Sequence, residues 1–302
     1  MAIGLADYQM NFRGLTFGLT PDGLDSLPVG IMTVTGLEDL DIRAGNSTMP
    51  RGDGAIPGLH TINSREISLG LAASGASKSQ ALSDTVAATL AAFSRTQAPQ
   101  PLYFKLPGMP ERFIFARVIG RQVKHETART FGHRPILVRL AAADPRIYGA
   151  EDTNRTLFIY DATGGGTDYG IDYGVDFTVD TSAEVVLNND GDDNAYPNVR
   201  FYGPPTGTLT EVKLTNTTTG DELEITADLL TGQILSADMR RIISADPGTD
   251  PYIHLGGSTR YSDWTLPRTP IYLQPGSNLV RFETTGSTTD AVCVVNYRDT
   301  WL

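Results

Sequence analysis

Hydrophobic residues recur at helical spacing in one segment of the chain, residues 77–95. Four apolar residues in this segment follow one another at steps of four, four and three positions: Leu82, Val86, Leu90 and Phe93. Because an α-helix completes a turn about every 3.6 residues, this spacing places them on one face. Prolines at positions 99 and 101 cannot extend the helix. The pattern predicts a single amphipathic helix whose apolar face packs against a sheet.

In the rest of the first half, apolar and polar residues alternate over short runs that are separated by glycine and proline. Residues 65–71 alternate in this way, which is typical of a half-buried strand. Residues 102–106 and 112–119 flank a Pro-Gly-Met-Pro turn and predict a β-hairpin. The Gly- and Pro-rich segment 45–58 predicts a long loop.

The second half shows short, evenly spaced strand patterns from residue 197 to the carboxyl end, with turn residues between them. Many short strands without a helix are typical of a jelly-roll β-sandwich. Between the two halves lies a region rich in Asp, Gly and Thr, residues 150–196. Within it, residues 168–180 alternate like a strand, and a low-complexity linker is the alternative interpretation of that stretch.

These patterns divide the 302 residues into an N-terminal domain at 1–149, a connecting region at 150–196 and a C-terminal domain at 197–302. The predicted fold class is mainly β. The N-terminal domain is predicted to be a β-sandwich or split barrel that carries the one α-helix, and the C-terminal domain a jelly-roll β-sandwich. Chains of this size bury roughly three quarters of their unfolded surface, so neither a disulfide nor a metal is needed for stability.

Charge and composition narrow the classes of partner. The formal net charge of −11 argues against specific binding to nucleic acid, which requires clustered Lys and Arg, and against an anionic membrane surface. The chain has no run of 18 apolar residues, so no transmembrane helix is predicted. No secretory leader is recognisable. Cys293 is the only cysteine, so no intrachain disulfide is possible. We therefore expect a soluble chain made in a cytoplasm.

Motifs for catalysis or metal binding fail at required positions. His125-Glu126 begins like a zinc-protease motif, but Arg129 stands where the second histidine belongs. The loop that starts at Asp190 resembles a calcium loop, but Phe201 occupies its twelfth position. We therefore predict no catalytic residues, no metal site and no cofactor. Paired carboxylates of the glycosidase type remain open, because 35 acidic residues allow many pairs in space.

Three aromatic residues cluster in the sequence of the last domain: Tyr252, Tyr261 and Trp264. Aromatic side chains exposed on a β-sandwich can stack on sugar rings. We therefore take the three as candidate contacts for carbohydrate or a protein partner, with packing in the core or in an interface as the alternative.

Several short motifs also follow one another in a fixed order along the chain. In the first half they are Asn11-Phe12-Arg13-Gly14, Pro50-Arg51-Gly52-Asp53-Gly54, Arg65-Glu66-Ile67 and Asp144-Pro145-Arg146-Ile147-Tyr148. In the second half they are Ala237-Asp238-Met239-Arg240-Arg241, Ser262-Asp263-Trp264, Leu273-Gln274-Pro275-Gly276-Ser277-Asn278 and Tyr297-Arg298-Asp299-Thr300-Trp301. In these motifs the chain resembles the distal tail proteins (Dit) of long non-contractile-tailed bacteriophages. The first set is similar to the family's belt domain and the second to its galectin-like sandwich, whereas region 150–196 departs from the family pattern.

The resemblance implies a structural virion protein. It implies a homohexameric ring that joins the tail tube protein to the tail tip or baseplate hub protein, with the tape measure protein as a further partner. It also implies a location at the tail tip of the virion, after assembly in the host cytoplasm, and an accessory role in binding host-surface glycan. In the belt domain, the loop residues Arg51 and Asp53 and the following Arg65 are the candidate ring contacts.

Two other functions stay open at this stage. A carbohydrate-binding module requires an exposed aromatic cluster. A tail-associated cell-wall hydrolase requires a convergent acidic pair in a cleft.

Overall fold

The computed structural model describes residues 2–18, 27–39, 41–48, 53, 55–56, 58–75, 80–123, 133–159, 182–240, 253–266, 268–286 and 290–302. The chain divides into two compact units. The first comprises Met1–Glu151 together with Leu302, and the second comprises Asp152–Trp301. Each unit is described by itself.

The first unit contains twelve strands and one helix among its described residues. The strands are β1 (Gln9–Phe12), β2 (Leu15–Gly18), β3 (Val29–Thr35), β4 (Ile42–Ala44), β5 (Ser47–Thr48), β6 (Ala55–Ile56), β7 (His60–Ile62), β8 (Arg65–Ser74), β9 (Gln100–Lys105), β10 (Arg112–Val123), β11 (His133–Ala142) and β12 (Ile147–Gly149). The helix α1 (Gln80–Ala92) lies between β8 and β9.

The main sheet of this unit runs in the order β2-β1-β9-β10-β11-β8-β3. The long strand β10 connects its two parts. Its residues 112–116 pair with β9, and its residues 117–123 pair with β11, with a bulge between Val118 and Gly120. A bulge bends a strand and increases its twist, which allows one strand to pair within two differently oriented parts of a sheet. In the described chain β2 and β3 are the free edges, an open arrangement of the split-barrel kind that the sequence predicted.

Helix α1 confirms the one helical pattern of the sequence, and it covers the apolar core of the sheet. Leu82, Val86 and Phe93 are buried, as the spacing predicted, whereas Leu90 is only half-buried. Thr89 is fully buried instead. Its hydroxyl donates to the carbonyl of Thr85 at 2.8 Å, which satisfies the polar group inside the core.

The second unit is a β-sandwich. Its strands are β13 (Thr153–Ile159), β14 (Ser182–Asn189), β15 (Asn198–Tyr202), β16 (Thr208–Asn216), β17 (Asp221–Leu230), β18 (Ile234–Asp238), β19 (Ile253–Leu255), β20 (Ser258–Thr259), β21 (Gly276–Gly286), β22 (Ala291–Tyr297) and β23 (Thr300–Trp301). A short 3₁₀ helix covers Tyr261–Asp263.

Two antiparallel sheets make up this sandwich. One has the order β13-β22-β15-β18-β19-β20, and the other has the order β14-β21-β16-β17. One hydrophobic cluster includes the buried residues of both sheets, with Phe201 and Phe282 at 5.6 Å between ring centroids. The alternation of buried and exposed residues along each strand is what a sheet with one covered face requires.

The structure corrects the expected extent of the connecting region 150–196. Its residues 153–159 and 182–189 form β13 and β14, which pair with β22 and β21. These two strands are the outer strands of the two sheets, so the sandwich begins at Asp152 and not at residue 197. The strand expected at residues 168–180, like the rest of 160–181, lies outside the described residues.

Candidate functional site

A groove of about 590 Å³ lies along the open side of the first unit, between β3 and the beginning of β1. Its lining is mainly apolar and includes Met10, Ile31, Met32, Val34, Leu37 and Leu106. The groove exists because β3 is hydrogen-bonded to β8 alone, so its other edge has no partner strand in the described chain. An unpaired edge beside an apolar groove can accept a strand or an apolar side chain from another chain.

Met32 stands out at this edge because it is 63 % exposed. It lies at the irregularity in the β3–β8 register between Ile31 and Thr33. A bulge at an edge turns a side chain away from the regular ladder. Met32 is therefore a flexible apolar side chain presented to solvent.

The turn after β3 is held by a buried arginine. Arg65 is 4 % exposed, and its Nη1 donates to the carbonyl oxygen of Leu37. Burial lowers the pKa of Arg65, and the nearby Asp39 opposes that shift. Gly36 has φ +81° and approaches so closely that a Cβ would lie 1.9 Å from the carbonyl oxygen of Glu66. The turn is thus specified by one glycine and one cation.

A second cavity, of about 510 Å³, lies beside this turn. Asp39, Asp41 and Glu66 line it together with Arg65. Three carboxylates around one buried guanidinium give the cavity an acidic character. It therefore favours cationic or neutral groups over anions.

The three candidate ring contacts are not brought to one surface in the described chain. Arg51 lies outside the described residues, and Asp53 is exposed. Arg65 is buried under the turn that follows β3, so its contacts are within the chain. The alternation of residues 65–71 predicted a strand correctly but did not reveal that its first residue is enclosed.

The aromatic cluster of the second unit is only partly on the surface. Trp264 is 2 % exposed, and it belongs to the hydrophobic core. Tyr261 is 40 % exposed and meets Trp264 edge-on, with 5.7 Å between ring centroids. The guanidinium carbon of Arg268 lies 4.9 Å from the centre of the Tyr261 ring. Tyr252 lies outside the described residues. The geometry favours the core-packing alternative for Trp264, because a buried ring cannot stack on a sugar.

Sequence reasoning missed a second aromatic group in this unit. Phe158 and Tyr202 lie on either side of β22, and both are opposite Val292. Because successive side chains of a strand point to opposite faces, the side chains of Phe158 and Tyr202 point away from the core that their chain neighbours face. Only the pairing of strands distant in sequence shows that the two aromatic residues lie in one row.

The described residues contain one nucleophile–base contact between a serine and a histidine. The hydroxyl oxygen of Ser74 is 3.0 Å from Nδ1 of His133. No described carboxylate hydrogen-bonds to that imidazole, so the third group of a catalytic triad is not found there. Among the described residues, no group of His, Cys, Asp and Glu has the arrangement of a metal site. No described helix is both long and apolar enough to span a membrane.

Comparisons with known proteins place this fold. The Dit protein (gp 19.1) of phage SPP1, described as a paradigm of the hub adsorption apparatus in phages that infect Gram-positive bacteria, aligns with a TM-score of 0.64. The alignment covers 97 % of this chain and 99 % of that chain at 14 % sequence identity. Two structures of the phage P2 baseplate in its activated conformation, with Ca and with Sr, align at TM-scores of 0.47 over 92 % of this chain and 95 % of theirs, at 12 % and 13 % identity. No protein-family model and no curated protein sequence matches the chain. The chain therefore has the fold of the SPP1 Dit protein.

Proposed function

We propose that this protein is a structural component of a bacteriophage tail tip: a distal tail hub without enzymatic activity. One observation carries the proposal, namely that nearly the full length of the chain shares its fold with a hub protein of an adsorption apparatus. The likeness extends over both units and is not limited to a common sandwich. Independent support comes from the short motifs of both halves, which occur in the order found in the distal tail proteins.

The hub function requires a ring, and we assign six copies to it, in contact through the first unit. The free edge of β3 and the apolar groove beside it supply one half of a head-to-tail interface. A head-to-tail contact of this kind closes into a ring when the rotation that relates neighbouring copies divides a full turn into equal parts. The tail tube protein, the tail-tip or baseplate hub protein and the tape measure protein are the proposed neighbours of that ring.

Mass photometry and negative-stain images of the full chain test the ring. The expected particle has six times the mass of the 32.6 kDa chain. Six chains of charge −11 repel one another, and about 0.1 M salt screens charges beyond ~10 Å, so rings should form more readily as salt rises. A chain that remains monomeric at micromolar concentration across this salt range contradicts the ring.

A charge placed on the β3 edge tests the interface itself. Met32→Glu inserts a carboxylate at the edge and should abolish rings without unfolding the chain. Leu59→Glu is the matched control, because Leu59 is 87 % exposed in the same unit and its substitution adds the same charge. Equal ring formation by both variants places the interface elsewhere in the molecule.

The hydrolase alternative has a direct test. Incubation of the full chain with purified peptidoglycan and surface polysaccharide should release no reducing sugar. Turnover that a single Asp or Glu substitution abolishes would replace the structural function by an enzymatic one.

An accessory role in binding host glycan is the second function we propose. The outer face that contains Phe158 and Tyr202 favours it, whereas the buried Trp264 does not.

A further inference from the structure

The outer face of the six-stranded sheet carries two ordered rows of side chains. In the first row, four strands contribute neighbouring residues: Phe158, Val292, Tyr202 and Ile234. In the second row, five strands contribute Thr156, Val294, Arg200, Ser236 and His254. Directly opposed residues on an antiparallel pair lie on the same face, so each row is a continuous strip across the sheet.

The first row is apolar and accessible. Phe158 is 48 % exposed and Ile234 is 41 % exposed. Tyr202 is half-buried and is opposite Val292 on one side and Ile234 on the other. Two aromatic side chains on alternate strands, separated by Val292, therefore lie on one face of the sheet.

The second row adds a cation that no described residue neutralises. Arg200 is exposed, and neither its guanidinium nor the hydroxyl of Tyr202 makes a hydrogen bond or ion pair with another described residue. The two rows contain no Asp or Glu. In a chain of net charge −11, the residues of these two rows therefore carry one positive charge and no negative charge.

The other sheet has the opposite character on its outer face. Five glutamates and two cations occupy its strands: Glu184, Glu211, Glu222, Glu224, Glu283, Lys213 and Arg281. Lys213 contacts Glu222 at 3.0 Å, and Arg281 contacts Glu184 at 2.5 Å, so both cations are already paired. An anionic ligand is therefore favoured at the two rows over the outer face of the other sheet.

We propose that the two rows, named here the platform, bind a short stretch of an acidic polysaccharide. Sugar rings stack on Phe158 and Tyr202, and the acid group of the sugar, a uronate or a phosphate, accepts hydrogen bonds from Arg200. The hydroxyls of Thr156, Ser236 and Tyr202 match the hydroxyls of a sugar. The proposal rests on the hub function above, because that function brings the protein to a cell surface.

The size of the platform favours an oligosaccharide over a protein partner. Strands are ~4.8 Å apart and alternate residues ~6.8 Å apart, so the nine residues of the two rows cover about 300 Å². A stable protein interface buries about 800 Å² on each partner. The platform has less than half the area of such an interface and matches a few sugar rings.

Affinity electrophoresis of the full chain in native gels tests this site. Polygalacturonate supplies the uronate, poly(ribitol phosphate) the phosphate, and dextran a neutral polymer. We expect at least one of the two acidic polymers to retard the protein and dextran to have no effect. Tyr202→Ala and Arg200→Met should each weaken the retardation about tenfold, a typical loss for one aromatic stacking contact. Tyr202→Phe and Arg200→Lys should retain most of it.

Val186→Ala is the matched control, because Val186 is 59 % exposed on the outer face of the other sheet. It should leave the retardation unchanged. Retardation by dextran equal to that by the acidic polymers overturns the proposal. Unchanged binding by Tyr202→Ala and Arg200→Met, or the absence of retardation by both acidic polymers, also overturns it. Mass photometry of the same samples separates the two proposals, since rings without polysaccharide binding refute the platform alone.

Discussion

Phe12 and Phe93 stack face to face, with 5.1 Å between ring centroids and 6° between ring planes. Phe12 belongs to β1, and Phe93 follows the last residue of α1. Phe17 on β2 meets Phe93 edge-on at 5.7 Å. All three rings are at most 1 % exposed. The helix is therefore anchored at its end to the opening hairpin of the chain, through the last residue of its apolar stripe.

Removal of this anchor should release the helix. Phe93→Ala deletes a fully buried ring, and such a truncation costs about 3–5 kcal/mol of unfolding free energy. We expect faster amide hydrogen exchange throughout α1 in mass-spectrometric measurements. Leu59→Ala, at an exposed position of the same unit, is the control and should change little. Unchanged exchange in α1 would show that the stack does not hold the helix.

Arg13 is expected to have two separable functions in the same region. It has φ +51° and precedes Gly14 with φ +83°, the backbone of a two-residue hairpin turn. Its Nη1 also donates to the carbonyl of Ala92 at 3.1 Å and to the hydroxyl of Ser94 at 2.8 Å, which caps the end of α1. Arg13→Asn keeps a residue that tolerates positive φ but removes the cap, whereas Arg13→Ala removes both. We expect losses of about 1 and about 2 kcal/mol, measured by urea unfolding, and equal losses would exclude strain in the turn.

Trp264 should be essential for the stability of the second unit rather than for binding. Its ring lies in the core, and its Nε1 has no hydrogen-bond partner among the described residues. Trp264→Ala should cost about 3–5 kcal/mol in urea unfolding followed by far-UV circular dichroism. Trp264→Phe, which also removes the unpaired donor, should cost less. Tyr261→Ala, at a half-exposed position, should cost under about 1 kcal/mol. A stable Trp264→Ala protein with altered polysaccharide binding would contradict this assignment.

Cys293 should be chemically inert in the folded protein. It is fully buried on β22, and burial raises the pKa of its thiol well above the ordinary value. The unfolded chain therefore loses the thiol proton at lower pH than the folded chain, so this group stabilises the fold at neutral pH and less as pH rises. We expect no reaction with Ellman's reagent between about pH 7 and pH 9. One thiol per chain should react in guanidinium chloride, and rapid labelling of the native protein would show that the core is open.

The sequence by itself determined the local elements of this protein. The spacing of Leu82, Val86 and Phe93 specified the helix, because helical periodicity acts within one segment. The turn between residues 106 and 112 specified the β9–β10 hairpin, in which Leu102 is opposite Ile114. Hairpin pairing follows from a local turn and alternation, so neither element required knowledge of distant residues.

Only the tertiary structure decided which strands are neighbours and which faces are covered. β13 and β14 pair with β22 and β21, about 90 to 140 positions away along the chain, and alternation cannot specify so distant a partner. For the same reason the sequence could not tell that Arg65 and Trp264 are enclosed while Phe158 and Tyr202 share an open row. Parity assigns a side chain to one of two faces. Whether that face meets the core or water depends on what packs against it.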